Sequence, residues 1–329
     1  DDLIDGFGGD DTISGLGGDD ILIGGDGNDV IDGGTGKNRL YGDAGDDTIT
    51  SSGTNDVVDA GEGDNNITIT SEALGGTFSS GDGHDIYNIQ SGFVADWRNR
   101  LILDAGDGED IVNVNSDGLD GWANLGLGEG NDILNFNGQL NRTNIYGDDD
   151  ADWGEDGGDD FINILGGSFA GASADIYGMG GNDQIVLEGN FNSNGDIEIY
   201  GGYGDDTIDM SKASNLLRDG DTPNVRGGQG NDYIIGNNES NLFWGGRGND
   251  VFNGAGGNDI FYGEDKYGNK DDGSLDTSVY SGSSTDYIVS RATDSDFGYV
   301  YYIQDTRDGS PDGLDSLYDI DLLRFSDGD

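Results

Sequence analysis

Fourteen aspartates of this chain fall at one place in a recurring nine-residue pattern, and their chemistry is that of oxygen ligands for a hard cation. One copy reads Gly24-Gly25-Asp26-Gly27-Asn28-Asp29-Val30-Ile31-Asp32. Its glycines can take φ > 0 and leave backbone carbonyls uncovered, and Asp29 sets a carboxylate at the end of the turn. Ile31 is the one large apolar residue of a short alternating strand. Carbonyls and a carboxylate gathered in a tight turn offer oxygen and little else.

The unit recurs at Gly6, Gly15, Gly24, Gly33, Gly42, Ser51 and Ala60 without a gap, then singly at Ser80, Ala105, Leu127, Glu155, Gly178 and Gly201. A final run starts at Gly227, Gly236, Gly245 and Gly254, which makes 17 copies. The sixth position is Asp11, Asp20, Asp29, Asp47, Asp56, Asp85, Asp110, Asp132, Asp160, Asp183, Asp206, Asp232, Asp250 or Asp259, and otherwise Asn38, Asn65 or Asn241. The eighth is apolar in every copy, from Ile13, Leu22 and Ile31 to Phe243, Phe252 and Phe261. Such a repeat is the mark of a solenoid, in which each unit buries its apolar face only against its neighbours.

The pattern resembles the G-G-x-G-x-D-x-U-x signature of the RTX, or repeats-in-toxin, family, closely over residues 6–68 and 227–262 and partially between. The resemblance implies an all-β fold, a right-handed parallel β-roll with two copies per coil, so that alternate turns stack along one edge. It implies calcium between stacked turns, held by the position-six aspartates and by turn carbonyls, among them those of Gly6, Gly24, Gly27, Gly42, Gly45, Gly201, Gly204, Gly227, Gly230, Gly245 and Gly248. Calcium takes six to eight oxygens in a flexible cage. The turns that carry Asn38, Asn65 or Asn241 lose a carboxylate and are expected to bind most weakly.

Copies in the middle start 22 to 28 residues apart. There a longer strand such as Asp110-Ile111-Val112-Asn113-Val114 is followed by a polar loop and a second strand such as Glu198-Ile199-Tyr200. Each interval reads as one complete coil, with a calcium turn on one edge and a plain loop on the other. The turns at 6, 24, 42, 60, 80, 105, 127, 155, 178, 201, 227 and 245 then form one ladder. The opposite edge has such turns only at 15, 33 and 51 and at 236 and 254. About a dozen calcium ions follow, at one per gap. The expected organisation is a regular roll over 1–68, an expanded roll over 69–226, a regular roll with a polar break over 227–274, and a capping module over 275–329. The cap is needed because a last coil exposes its core and a strand edge.

Composition agrees with a cation-loaded chain. Of 329 residues 67 are acidic and 14 basic, a net charge of −53, and 64 are glycine. Self-repulsion on that scale opposes folding unless cations neutralise it, and it disfavours nucleic acid and anionic membranes. No run reaches the length of a membrane span. There is no cysteine, hence no disulfide and no thiolate metal site. The chain opens on Asp1-Asp2-Leu3-Ile4-Asp5, which reads as the end of a repeat strand in a processed chain or fragment.

Other motifs carry less. Gly33-Gly34-Thr35-Gly36-Lys37 and Gly126-Leu127-Gly128-Glu129-Gly130 lie in repeat register and open no helix, which a phosphate loop requires. His84, the only histidine, sits at the fifth turn position with no catalytic partners, so no nucleophile triad is evident. The cluster Asp148-Asp149-Asp150-Ala151-Asp152-Trp153-Gly154 reads as an insertion before a turn, either an extra cation site or an exposed acidic loop. Phe93, Trp97, Arg98, Arg100, Trp122 and Arg142 are placed in middle loops, where they either pack on the flank or meet a polysaccharide or another surface protein.

The expectation is a non-enzymatic, calcium-binding structural protein, secreted or at the bacterial cell surface. The resemblance implies type I export and folding in extracellular calcium. The alternative is a non-catalytic export and stabilising module of a secreted protease, lipase or alginate-modifying enzyme whose catalytic domain lies outside this chain.

Overall fold

The computed structural model describes every residue except 71–72, 91–97, 117–119, 139, 149–156, 167–173, 192–196, 217–223, 265–272, 296–297 and 329. Two sheets face each other, one of sixteen strands (sheet 1) and one of fourteen (sheet 2), and the chain alternates between them. From Leu3–Asp5 to Ile260–Tyr262 all pairings in sheet 1 are parallel, as are all pairings in sheet 2. The fold is the all-β parallel solenoid that the repeat implies.

The eighth position fills the core. In sheet 1, Leu22, Leu40 and Val58 occupy successive registers and are fully buried, and Phe78, which lies between two copies, continues the row. In sheet 2, Ile13, Ile31, Ile49, Ile67 and Tyr87 do the same. Near the far end the stack turns aromatic, with Phe243, Phe252 and Phe261 at 5.4 to 6.4 Å between ring centroids. The longer middle strands add a second inward row, Ile69, Ile89, Val114, Phe136, Ile164 and Leu187, all buried. Alternation explains this, because a strand lengthened by two residues turns one more side chain inward.

Residues 275–329 divide between two roles. Thr277–Val279 and Leu322–Arg324 add parallel strands to sheet 2, and Leu314–Tyr318 adds one to sheet 1, so coils continue past the last nonapeptide. The antiparallel strands Gly298–Asp305 and Tyr287–Asp294 then end sheet 1, with Val300, Ile303 and Tyr287 buried. Trp122 and Arg142, expected in loops, lie instead in the strands Asp120–Gly126 and Asn141–Tyr146, because those strands extend past the inward row. Phe93 and Trp97 lie outside the described residues.

The turns depend on glycine at position four. Gly204 has φ +111°, and a β-carbon there would strike the carbonyl of Gly181 in the preceding coil. Gly9 has φ +106°, but a β-carbon there meets nothing within 4 Å. We expect Gly9→Ala to cost about 1 kcal/mol from backbone conformation alone and Gly204→Ala at least about twice that. Thermal unfolding of both variants at saturating calcium checks this, and equal losses would remove coil stacking as the reason for glycine.

Candidate metal-binding ladders

Coil stacking sets the sixth-position residues one above another. Along the edge that leads from sheet 1 to sheet 2, Asp11, Asp29, Asp47, Asn65, Asp85, Asp110, Asp132, Asp160, Asp183, Asp206, Asp232, Asp250 and Asp276 form one ladder. Each backbone N–H donates to the side-chain Oδ1 of the next rung at 2.7 to 2.9 Å. The N–H of Asp276 donates onward to Asp321 Oδ2 at 3.2 Å. On the opposite edge, Asp2, Asp20, Asn38 and Asp56 form a short ladder, and Asn241, Asp259 and Asp315 another.

The second carboxylate oxygen is the chemically exposed part of this design. In Asp20, Asp29, Asp47, Asp85, Asp110, Asp132, Asp160, Asp183, Asp206, Asp232, Asp250 and Asp259, Oδ2 is buried and accepts no hydrogen bond. Each belongs to position six. An acceptor sealed from water without a donor is costly, and an ionised one more so. Burial accordingly pushes up the carboxyls of Asp47, Asp85, Asp110, Asp132, Asp160, Asp183, Asp206, Asp232, Asp250 and Asp259, reinforced in most by the charge of neighbouring acids. Asp47 rises to about 6, Asp110 to about 7, Asp183 to about 8, Asp250 to about 9 and Asp206 to about 10.

Oδ2 does not stand alone. A β-carbon built on Gly6 would lie 2.7 Å from Asp11 Oδ2 and 2.6 Å from the carbonyl oxygen of Gly24 in the next coil. The same pair, the turn's own Oδ2 and the next coil's carbonyl, meets at Gly24, Gly42, Gly178, Gly201 and Gly245. In these turns a side chain at position one would fill the space between a carboxylate and a carbonyl, which glycine leaves open. Among the described residues no three acidic or histidine side chains converge on one point. The donors are one carboxylate per turn and main-chain oxygens, a set that suits calcium and offers nothing to a soft metal. A bound divalent ion would supply the positive charge that these oxygens lack.

The exceptions show how the cradle is otherwise closed. Asn65 Nδ2 donates to the carbonyls of Gly61 at 3.2 Å and Gly63 at 2.9 Å, the oxygens of positions two and four in its own turn. Asn38 Nδ2 reaches Gly34 O at 3.4 Å, and Asn241 Nδ2 reaches Asn237 Oδ1 at 3.1 Å. An amide therefore supplies the donor that an aspartate turn lacks. Asp56 differs from the other aspartates because Ser51, at position one of its turn, turns its hydroxyl onto the carboxylate, whereas Ser80 at the same position donates to Ala105 O. Asp56 Oδ2 accepts from the Ser51 hydroxyl at 2.7 Å and from the Gly53 N–H at 3.1 Å, so this carboxylate is satisfied without an ion.

The copy assigned to Glu155 begins elsewhere. Gly147 takes position one, since its β-carbon would meet Asp160 Oδ2 and Gly178 O. Asp148 takes position two and accepts from Gly158 N–H at 3.0 Å and Gly180 N–H at 2.9 Å. Residues 149–156, outside the described set, are thus an insertion within the turn, between its second and third positions, and not before it. The polar break at 265–272 interrupts the turn from Gly263 to Asp276 at the same place and with the same length. That interruption hid Asp276 from the sequence, and its eighth position is Ser278, so the apolar marker is missing too.

The fifth position also has a role that the sequence pattern concealed. Asp10, Asn28, Asp46 and Asp64 accept from the backbone N–H of the following coil at 3.0 to 3.1 Å, the reverse of the sixth-position direction. Asn131, Asp159, Asn182, Asp205, Asn231 and Asn249 continue the series. His84 belongs to this row and is exposed, with Nδ1 3.3 Å from Glu109 O. Exposed Arg98 and Arg100 flank Asn99, whose Oδ1 accepts from Asn55 Nδ2 at 2.9 Å.

Two outcomes follow for the metal-free protein and for the ladder. A carboxyl raised in the fold binds its proton more tightly there than in the unfolded chain, so folding stability falls as pH rises between the two values. In chelator, β-structure should therefore increase as pH drops from about 9 to about 4, read by circular dichroism; a metal-free chain that loses structure on acidification would contradict the burial of these groups. Asn65→Asp removes the amide donor and leaves Oδ2 facing carbonyls. Equilibrium dialysis should find one more calcium bound than in the parent, and an unchanged count would show that the amide is not what closes that turn.

The family model of the RTX calcium-binding nonapeptide repeat, in four copies, matches residues 5–40, 32–67, 198–210 and 226–261. No curated protein matches the chain. The matched stretches hold turns at the start of the long ladder, one in its middle and those of Asp232 and Asp250 near its far end, and the unmatched intervals carry the same rungs in register. Over the matched residues, about a third of its length, the chain is built of RTX calcium-binding nonapeptide repeats.

Proposed function

We propose that this chain is a secreted structural rod whose folding is driven by extracellular calcium and that its own activity is mechanical, not catalytic. The observation that carries this reading is the buried, unpartnered Oδ2 atoms of twelve of the fourteen position-six aspartates, stacked coil upon coil. About a dozen divalent ions would offset about half of the net −53. In the metal-free chain, stacked carboxylates repel and face carbonyls, which opposes coil formation. An ion that binds only stacked turns adds its binding free energy to folding. Calcium levels outside the cell, matched to weak extracellular sites with Kd about 10⁻⁴–10⁻³ M, would then decide where the rod forms.

The protein's own groups complete the arrangement. Glycines at positions one and four admit the carboxylate and the neighbouring coil, the Oδ1 bonds fix the rung spacing, and the eighth-position residues hold the coils in register. Fourteen parallel strands of sheet 1, with about 4.8 Å between neighbours, make a rod about 62 Å long. The long edge supports ions along its length except at the Asn65 turn, and the other edge near its two ends.

Calcium titration of the chelated chain, followed by far-ultraviolet circular dichroism and by counting bound ions, tests the proposal. The expected result is a cooperative gain of β-structure with about a dozen ions bound. Full β-structure at neutral pH in excess chelator would overturn it.

A further inference from the structure

We propose that the groove beside Arg226, on the outer side of sheet 1, binds a sugar that carries a carboxylate. Arg226 lies in the strand Asn224–Gln229, in register with Tyr200 on one side and Trp244 on the other. Its guanidinium carbon lies 5.3 Å from the Tyr200 ring centroid and 5.4 Å from that of Trp244. The two rings hold the cation by its faces and leave its N–H groups undirected.

The anomaly is the missing partner. The chain has 67 acidic residues, yet Arg226 makes no ion pair among the described residues, and its Nε is buried without an acceptor. On the neighbouring strand Glu198, in register with Asn224, accepts from the Tyr200 hydroxyl at 2.7 Å. In a protein with this charge, a guanidinium kept from its own carboxylates is placed for one from outside.

The surroundings suit a carbohydrate. Gly202, Gly228 and Gly246 stand in register and make a floor of bare peptide. Tyr200 and Arg226 form one side of the groove, and Tyr203 and Gln229 the other. An adjoining hollow shares Tyr203 and Gln229 and reaches Asn182. The two together cross four coils, about 14 Å at strand spacing, enough for a short run of linked sugars. A sugar ring would lay its C–H face on the glycine floor and tyrosine edges, give hydroxyls to the amides of Gln229 and Asn182, and bring its carboxylate to Arg226.

Calorimetric titration at saturating calcium tests this, with a glucuronate-containing tetrasaccharide as probe. A neutral tetrasaccharide and a tetraglutamate peptide serve as controls. We expect the acidic sugar to bind, the neutral one to bind at least tenfold more weakly and the peptide not at all. Arg226→Gln should lose at least tenfold and Arg226→Lys should recover part of the loss, since lysine keeps the charge but not the planar fork. Both variants should keep the parent circular dichroism and calcium count, which separates this site from the metal ladder. No binding of the acidic sugar, equal binding by Arg226→Gln, or equal binding of tetraglutamate would each overturn the proposal.

Discussion

A carboxylate oxygen buried without a donor is the constraint on which the rest of this protein depends. Oδ1 of each position-six aspartate is satisfied by the backbone of the preceding coil, and that bond seals Oδ2 inside the turn. Repeated a dozen times, the arrangement makes the metal-free fold a stack of unfavourable charges. The same geometry becomes favourable once cations are present. A single interaction thus serves as both the obstacle to folding and the means of controlling it.

The turns that avoid this constraint are as informative as those that obey it. Asn65 closes its cradle with an amide, and Asp56 does so with the hydroxyl of Ser51. Both are metal-free solutions to the same electrostatic problem, and each uses a donor in place of an ion. They lie where the first regular roll gives way to the expanded middle, so the metal-dependent part of the long ladder is interrupted there by a rung that holds itself together.

Reciprocal side-chain bonds add a second level of order. Position six reaches back one coil and position five reaches forward one coil, so adjacent turns are tied in both directions by Asp and Asn side chains. Mixing Asn with Asp at position five dilutes charge in the exposed row while keeping the same acceptor oxygen. The glycines follow from this closeness, since at positions one and four a β-carbon would occupy the place of a carboxylate or a carbonyl.

The sequence by itself determined the parallel solenoid, the inward eighth position and the ladder along one edge, because all three rest on a strict period that repeats within the chain. Rungs from Asp11 to Asp250 were legible for that reason. Only the tertiary structure decided what the side chains of one turn do to each other. It showed that Asp56 is satisfied by Ser51, that Gly147 and not Glu155 opens the turn of Asp160, and that Asp276, Asp315 and Asp321 continue the ladders past the last repeat. The unpaired state of Arg226 belongs to the same class. Periodicity reports which residues share a position, whereas donors, acceptors and the space between coils exist only once the coils are stacked.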